Sequence, residues 1–170
     1  MIKSKSLPRI HLACGNDELR PALKHVFINK KHVVATDSHI LVKYEKSVLS
    51  NWIEDIPDEC FIEAYQYAKL TKPFLCANYL KESNLIKVLY RNGRKSYVEV
   101  LLPKNVDFKY PDYDWLFKYD DNLSQSGEIN ISANLLYILE KSMECTNHGI
   151  KILFQHGEYK PLIVKPYDQR

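Results

Sequence analysis

The chain has 170 residues, 45% of them hydrophobic and 26% charged, with 24 Lys and Arg against 21 Asp and Glu for a formal net charge of +3. That length supports a domain with a real core, and the charge balance is well short of what a dedicated nucleic-acid binder carries. The five glycines never fall at dinucleotide or P-loop spacing, and no apolar run is long enough to cross a bilayer. The opening MIKSKSLPR has no signal-peptide hydrophobic region, so the expected location is cytoplasmic, without a membrane. Cys14, Cys60, Cys76 and Cys145 lie far apart without a CxxC pair, which points to buried thiols. A zinc site from His11, Cys14, Cys145 and His148 would lack a finger spacing, so neither metal nor cofactor is expected.

In chain order, Leu19, Ala22, Leu23 and Val26 fit one helical face, but Pro21 inside it would remove a hydrogen bond. Residues 26–29 and 32–35 read as a hairpin turning on Lys30-Lys31. Phe61, Ala64, Tyr65 and Ala68 recur at i, i+3, i+4 and i+7, predicting a helix over 62–72 that stops at Lys72-Pro73, after a short apolar run at 59–62. The clearest signal is 85–102, where two β-rich runs flank Asn92-Gly93, a dipeptide suited to a type I′ turn. The polar stretch 118–127, KYDDNLSQSG, reads as a boundary between two units. Beyond it, an apolar run at 129–131 leads into a helix marked by Leu136, Leu139 and Met143, with Ser132 as its N-cap. A last hairpin covers 150–164, turning on His156-Gly157-Glu158. The order strand, helix, hairpin thus occurs twice, as a structural repeat.

Two motifs invite chemistry. In HVVATDSHILV (32–42), Asp37-Ser38 sits between strand-like runs and reads as an Asx turn. A local triad of Asp37, Ser38 and His39 fails because neighbours along a strand point to opposite faces. In FKYPDYDWLF (108–117), the plain reading packs Phe108, Tyr110, Trp115 and Phe117 on a core. The functional alternatives are a divalent metal on Asp112 and Asp114, or a peptide groove walled by the proline and aromatics.

Several stretches resemble one family. Arg20-Pro21-Ala22-Leu23-Lys24-His25-Val26, followed by Ala35-Thr36-Asp37-Ser38-His39-Ile40-Leu41, is similar to the RPxLxxV and ATDSHRL segments in the middle domain of bacterial sliding clamps, the β subunits of DNA polymerase III. Ile40 stands where that family has arginine. Tyr110-Pro111-Asp112-Tyr113 resembles the FPDY element at the exit of the middle domain. Residues 128–139 resemble a strand and helix of the last domain, and Pro161-Leu162-Ile163-Val164-Lys165-Pro166 its final strand. The family's first domain and the first half of its last domain have no counterpart.

The resemblance implies an α+β, DNA-clamp-like fold of antiparallel sheets with repeated strand–helix–strand units. It would comprise a domain over 8–117, a linker over 118–127 and a half-domain over 128–168 packed on the first. It favours strand for 21–28, with the first helix reduced to a remnant within 13–19. It also implies a non-enzymatic protein with a pocket for a short peptide of replication or repair partners. By resemblance the pocket walls fall on Thr36, Ser38, His39, Ile40 and Leu41, on Pro111 and Leu116, and on Ile163 and Lys165. The DNA-facing helices offer only Lys69, Lys72 and Lys141, so double-stranded DNA is a weaker expectation, and a ring would need a homo-oligomer. The rivals are a small metal-dependent nuclease using Asp112, Asp114 and Asp37, and a plain DNA-binding protein.

Overall fold

The computed structural model describes residues 6–92, 94–104, 106–117, 131–143, 150–153 and 162–166. Short 3₁₀ turns at Ile10–Ala13 and Pro21–Lys24 precede β1 (His25–Ile28), β2 (His32–Thr36) and β3 (Leu41–Glu45). The one-turn α1 (Ser47–Ser50) and β4 (Ile53–Glu54) lead to β5 (Cys60–Glu63), α2 (Ala64–Leu70), β6 (Cys76–Leu80), β7 (Leu85–Asn92) and β8 (Arg94–Leu101). A 3₁₀ turn at Asp114–Phe117, then α3 (Ala133–Ser142), β9 (Ile150–Leu153) and β10 (Ile163–Pro166) complete the described elements. The architecture is α+β with mostly antiparallel sheets. One four-stranded sheet runs β3-β2-β1-β5, a second runs β4-β6-β7-β8, and β10 pairs with β9. The β4–β6 pairing is parallel.

Turn chemistry explains the first hairpin. The register Phe27↔Val34 leaves Lys30-Lys31 as the loop, as expected from sequence. Asn29 Oδ1 accepts from the Lys31 and His32 amides at 2.8 and 2.7 Å, an Asx turn that fixes the chain reversal. The β7–β8 hairpin forms where expected, but Arg91 pairs with Lys95 and Asn92 with Arg94. A two-residue Asn92-Gly93 loop would have paired Arg91 with Arg94, so the pairing is shifted by one residue from the type I′ register.

Period-two alternation divides the first sheet between two cores. Val26, Ile28, Val33, Ala35 and Ile62 face the main core, joined there by Ile86, Val88 and Val100 of the second sheet and by Tyr67 and Leu70 of α2. Val34 and Phe61 face the other way, into a cluster with Ala22, Tyr110 and Tyr113. The segment 106–116 lies across that face and adds Phe108, Tyr110 and Tyr113 to the sheet's Phe27 and Phe61.

Two helical expectations and one strand boundary are corrected. The periodicity at 19–26 resolves into a 3₁₀ turn with Pro21 at its first position, where a missing amide is tolerated, and the strand begins at His25 rather than Pro21. The second helix starts at Ala64, because Phe61 and Ile62 belong to β5. Its buried face is Gln66, Tyr67 and Leu70, whereas Tyr65 is 64% exposed. The apparent i, i+3, i+4 pattern mixed a strand residue with helix residues and so misjudged the phase. Ser132 stands at the N-cap of α3 but its hydroxyl makes no capping bond, while its carbonyl accepts from the Leu136 amide at 3.2 Å. The linker over 118–127, the run at 129–130 and the turn at 156–158 lie outside the described residues.

Candidate functional site

Between β3 and β10 the fold leaves a cavity of about 820 Å³, within the size range of small-ligand and peptide-anchor pockets. One end is the Thr36–Ile40 turn. Asp37 Oδ1 accepts from the His39 and Ile40 amides, both at 2.8 Å. Thr36 Oγ1 accepts from the Ser38 amide at 3.0 Å and donates to the Ile40 carbonyl at 2.5 Å. These bonds hold Ser38 at φ 81°, a left-handed conformation that a serine adopts only when its surroundings impose it. Gly15 backs the turn: a Cβ there would sit 3.3 Å from Asp37 Cα and 3.4 Å from Leu23 Cβ. The turn is thus rigid, and Asp37 is engaged in building it.

From this turn Leu41, Val42, Lys43 and Tyr44 run along one wall of the cavity. Successive strand residues point to opposite faces, so a cavity touching four in a row lies at the strand's edge. The same holds opposite, where Leu162, Ile163, Val164 and Lys165 all line it. The floor is the apolar stripe of α3, Leu135, Leu136, Leu139 and Met143, together with Ile131 and Leu116. Tyr44 Oη donates to the Ser142 carbonyl at 3.1 Å and ties β3 to the end of α3.

The fold therefore gathers Thr36, Ser38, His39, Ile40, Leu41, Leu116, Ile163 and Lys165 around one space. Pro111 does not belong to it: the residue is exposed, and its neighbour Tyr110 turns into the aromatic cluster instead. Sequence reading missed the α3 wall. Leu136, Leu139 and Met143 were visible as a helical stripe, but a stripe alone does not say whether it meets a core or a void. Ile40 is 7% exposed and belongs to the main core as well as the cavity wall.

Lys43 and Lys165 are both among the cavity's lining residues, and no Asp or Glu is among those described. Lys165 lies directly across from Lys151 in the β9–β10 ladder, so two cations share one face of that sheet.

The other predicted positions are scattered. Lys69 Nζ donates to Gln66 Oε1 at 2.6 Å and to the Glu99 carbonyl at 3.0 Å, folding back on β8. Lys72 is exposed just past α2, and Lys141 sits 3.6 Å from Glu140 and over the Tyr137 ring. Asp112 Oδ1 accepts from the Asp114 amide at 3.1 Å, a further Asx turn. Trp115, expected in the core, is 60% exposed, its indole N–H donating to the Asp112 carbonyl at 3.2 Å. Among the described residues no three His, Cys, Asp or Glu side chains are grouped to hold a metal. Of the zinc alternative, Cys145 and His148 lie outside the described residues. Burial, and secondarily Asp37, pushes the Cys14 thiol up to about 12, which keeps it protonated and unreactive at neutral pH. No helix among the described residues is long and apolar enough to cross a membrane. No protein-family model matches the sequence, and no curated protein matches it closely enough to count as a relative.

Proposed function

We propose that the chain is a non-enzymatic, sliding-clamp-like protein that captures a short linear peptide of a replication or repair partner in the cavity between β3, α3 and β10. The observation that carries this reading is convergence. The 36–41 turn, Leu116 and the strand at Ile163, distant in sequence, line one apolar cavity. Two of those stretches, Ala35–Leu41 and 161–166, are among the segments most similar to bacterial clamps, and Leu116 follows a third. An apolar cleft of this size with a few polar edges suits one or two anchor side chains, which carry most of the energy of a peptide contact. Ile40 in place of the family's arginine makes the wall more apolar and the anchor requirement more hydrophobic. The lysines of α2 and α3 give no comparable support to DNA encirclement, since Lys69 and Lys141 have local partners.

The test is fluorescence anisotropy with a labelled clamp-binding peptide from a bacterial replication or repair protein. Saturable binding is expected. Leu136→Glu, on the half-buried stripe of α3, should weaken it at least about tenfold by placing an unpaired carboxylate in the cleft. Equal affinity of parent and variant, with both folded by circular dichroism, overturns the reading. A divalent-metal titration followed by thermal shift tests the nuclease rival, which requires metal-linked stabilisation.

A further inference from the structure

The second sheet carries a surface of its own. Ala77, Ile86, Val88 and Val100 turn into the main core, so the residues alternating with them point outward. The ladder sets those outward residues in rows across β7 and β8: Leu85 opposite Leu101, Lys87 opposite Glu99, and Leu89 opposite Tyr97. Tyr97 is 62% exposed and Leu101 53%, and the charged row of Lys87 and Glu99 is exposed between them. On β6, Leu80 extends the first row, opposite Leu85. Lys87 Nζ lies 4.7 Å from the centroid of the Tyr97 ring, a contact that leaves the ammonium able to meet a carboxylate as well. None of these side chains is among the described lining residues of the cavity.

This face is its own complement. A two-fold axis parallel to the strands and midway between β7 and β8 exchanges the two strands. Two copies facing each other across that axis set Lys87 on the partner's Glu99, while each apolar row meets the same row of the other copy. An axis along β7, or one running across the strands at the charged row, would instead set Lys87 on its own image. The register thus selects one arrangement, and it is the aligned face-to-face packing that twisted sheets favour. Each contact then occurs twice, as in any isologous interface.

We infer that the outer face of β7 and β8 is a self-association surface, and that its occupant is a second copy of the chain. The reciprocal Lys87–Glu99 pairs set the axis and register, while Leu89, Tyr97 and Leu101 supply apolar burial. Two eight-residue strands at about 4.8 Å spacing make a contact smaller than a standard interface, so the dimer is weak and concentration-dependent. The inference stands apart from the peptide pocket.

The experiment is sedimentation velocity on the whole chain from about 1 to about 500 µM, where the average mass should rise from one chain toward two. Lys87→Glu and Glu99→Lys should each raise the dissociation constant at least about tenfold, because like charges then oppose across the axis twice. An equimolar mixture of these two variants should dimerise within about threefold of the parent, since each contact across the axis again opposes Lys and Glu. The like-charge pair within each variant chain persists in that mixture, so recovery reports contact between copies. Leu101→Ser, in an apolar row, should weaken the dimer about fivefold with an unchanged circular dichroism spectrum. A parent that stays monomeric throughout overturns the inference, as does a dimer indifferent to all three variants. Variants that dissociate without recovering on mixing overturn the reciprocal pairing. Should the charge variants fold poorly, Leu101→Ser decides the face, and an unchanged dissociation constant overturns it.

Discussion

The first sheet has an aromatic face and an aliphatic edge, and the two are treated differently by the fold. On the face, Phe27 stacks on Tyr110 with ring centroids 4.8 Å apart, and Phe61 meets Phe27 at 4.9 Å and Phe108 at 5.1 Å edge-on. The chain supplies its own cover there, because 106–116 brings large flat rings that interdigitate and leave no room. At the β3 edge the lining is mainly aliphatic, and Tyr44 is the only Phe, Tyr or Trp among the described lining residues. Leu, Ile, Val and Met side chains from three elements meet there without filling the space between them. One apolar region is closed by the chain itself, and the other leaves a cavity of about 820 Å³.

That contrast can be broken experimentally, and the sharpest way is through the filled side. Phe61→Ala removes the ring that contacts Phe27, Phe108 and Tyr110, and should cost about 3–5 kcal/mol in urea unfolding. A loss below about 1 kcal/mol would mean that the face is not a packed core. Leu136→Glu should do the reverse. It should leave the melting temperature nearly unchanged while peptide affinity falls by at least about tenfold, or about 1.4 kcal/mol. Ile40→Glu, by contrast, should lose both fold and binding, since Ile40 is shared between cavity and main core. Tyr44→Phe removes the hydrogen bond to the Ser142 carbonyl and should cost about 0.5–1.5 kcal/mol. The smallest effect is expected at Ser142→Ala. Its hydroxyl is buried and has no hydrogen-bond partner among the described residues, so stability should stay level or rise by up to about 1 kcal/mol. Destabilisation there would reveal a bond that geometry does not account for.

Legibility from sequence followed how local the signal was. The Lys30-Lys31 turn, the Asx turn at Asp37 and the long β7–β8 hairpin were readable, because each depends on residues a few positions apart. The phase of α2 was not: Phe61 and Ala64 share a periodicity but not an element, and only pairing of β5 with β1 assigns Phe61 to the sheet. Pro111 was placed in the pocket through its motif, yet Tyr110 and Tyr113 are drawn into the aromatic cluster and hold that stretch on the sheet's face.

Turns, alternation and the split of apolar residues between two sides of a strand are properties of neighbouring residues, and the order of amino acids was enough to state them. Whether the stripe of α3 meets a filled core or an open space is a property of what three remote segments fail to fill. Voids arise from the sum of shapes brought together by the whole chain, so that cavity became visible only once β3, α3 and β10 stood side by side.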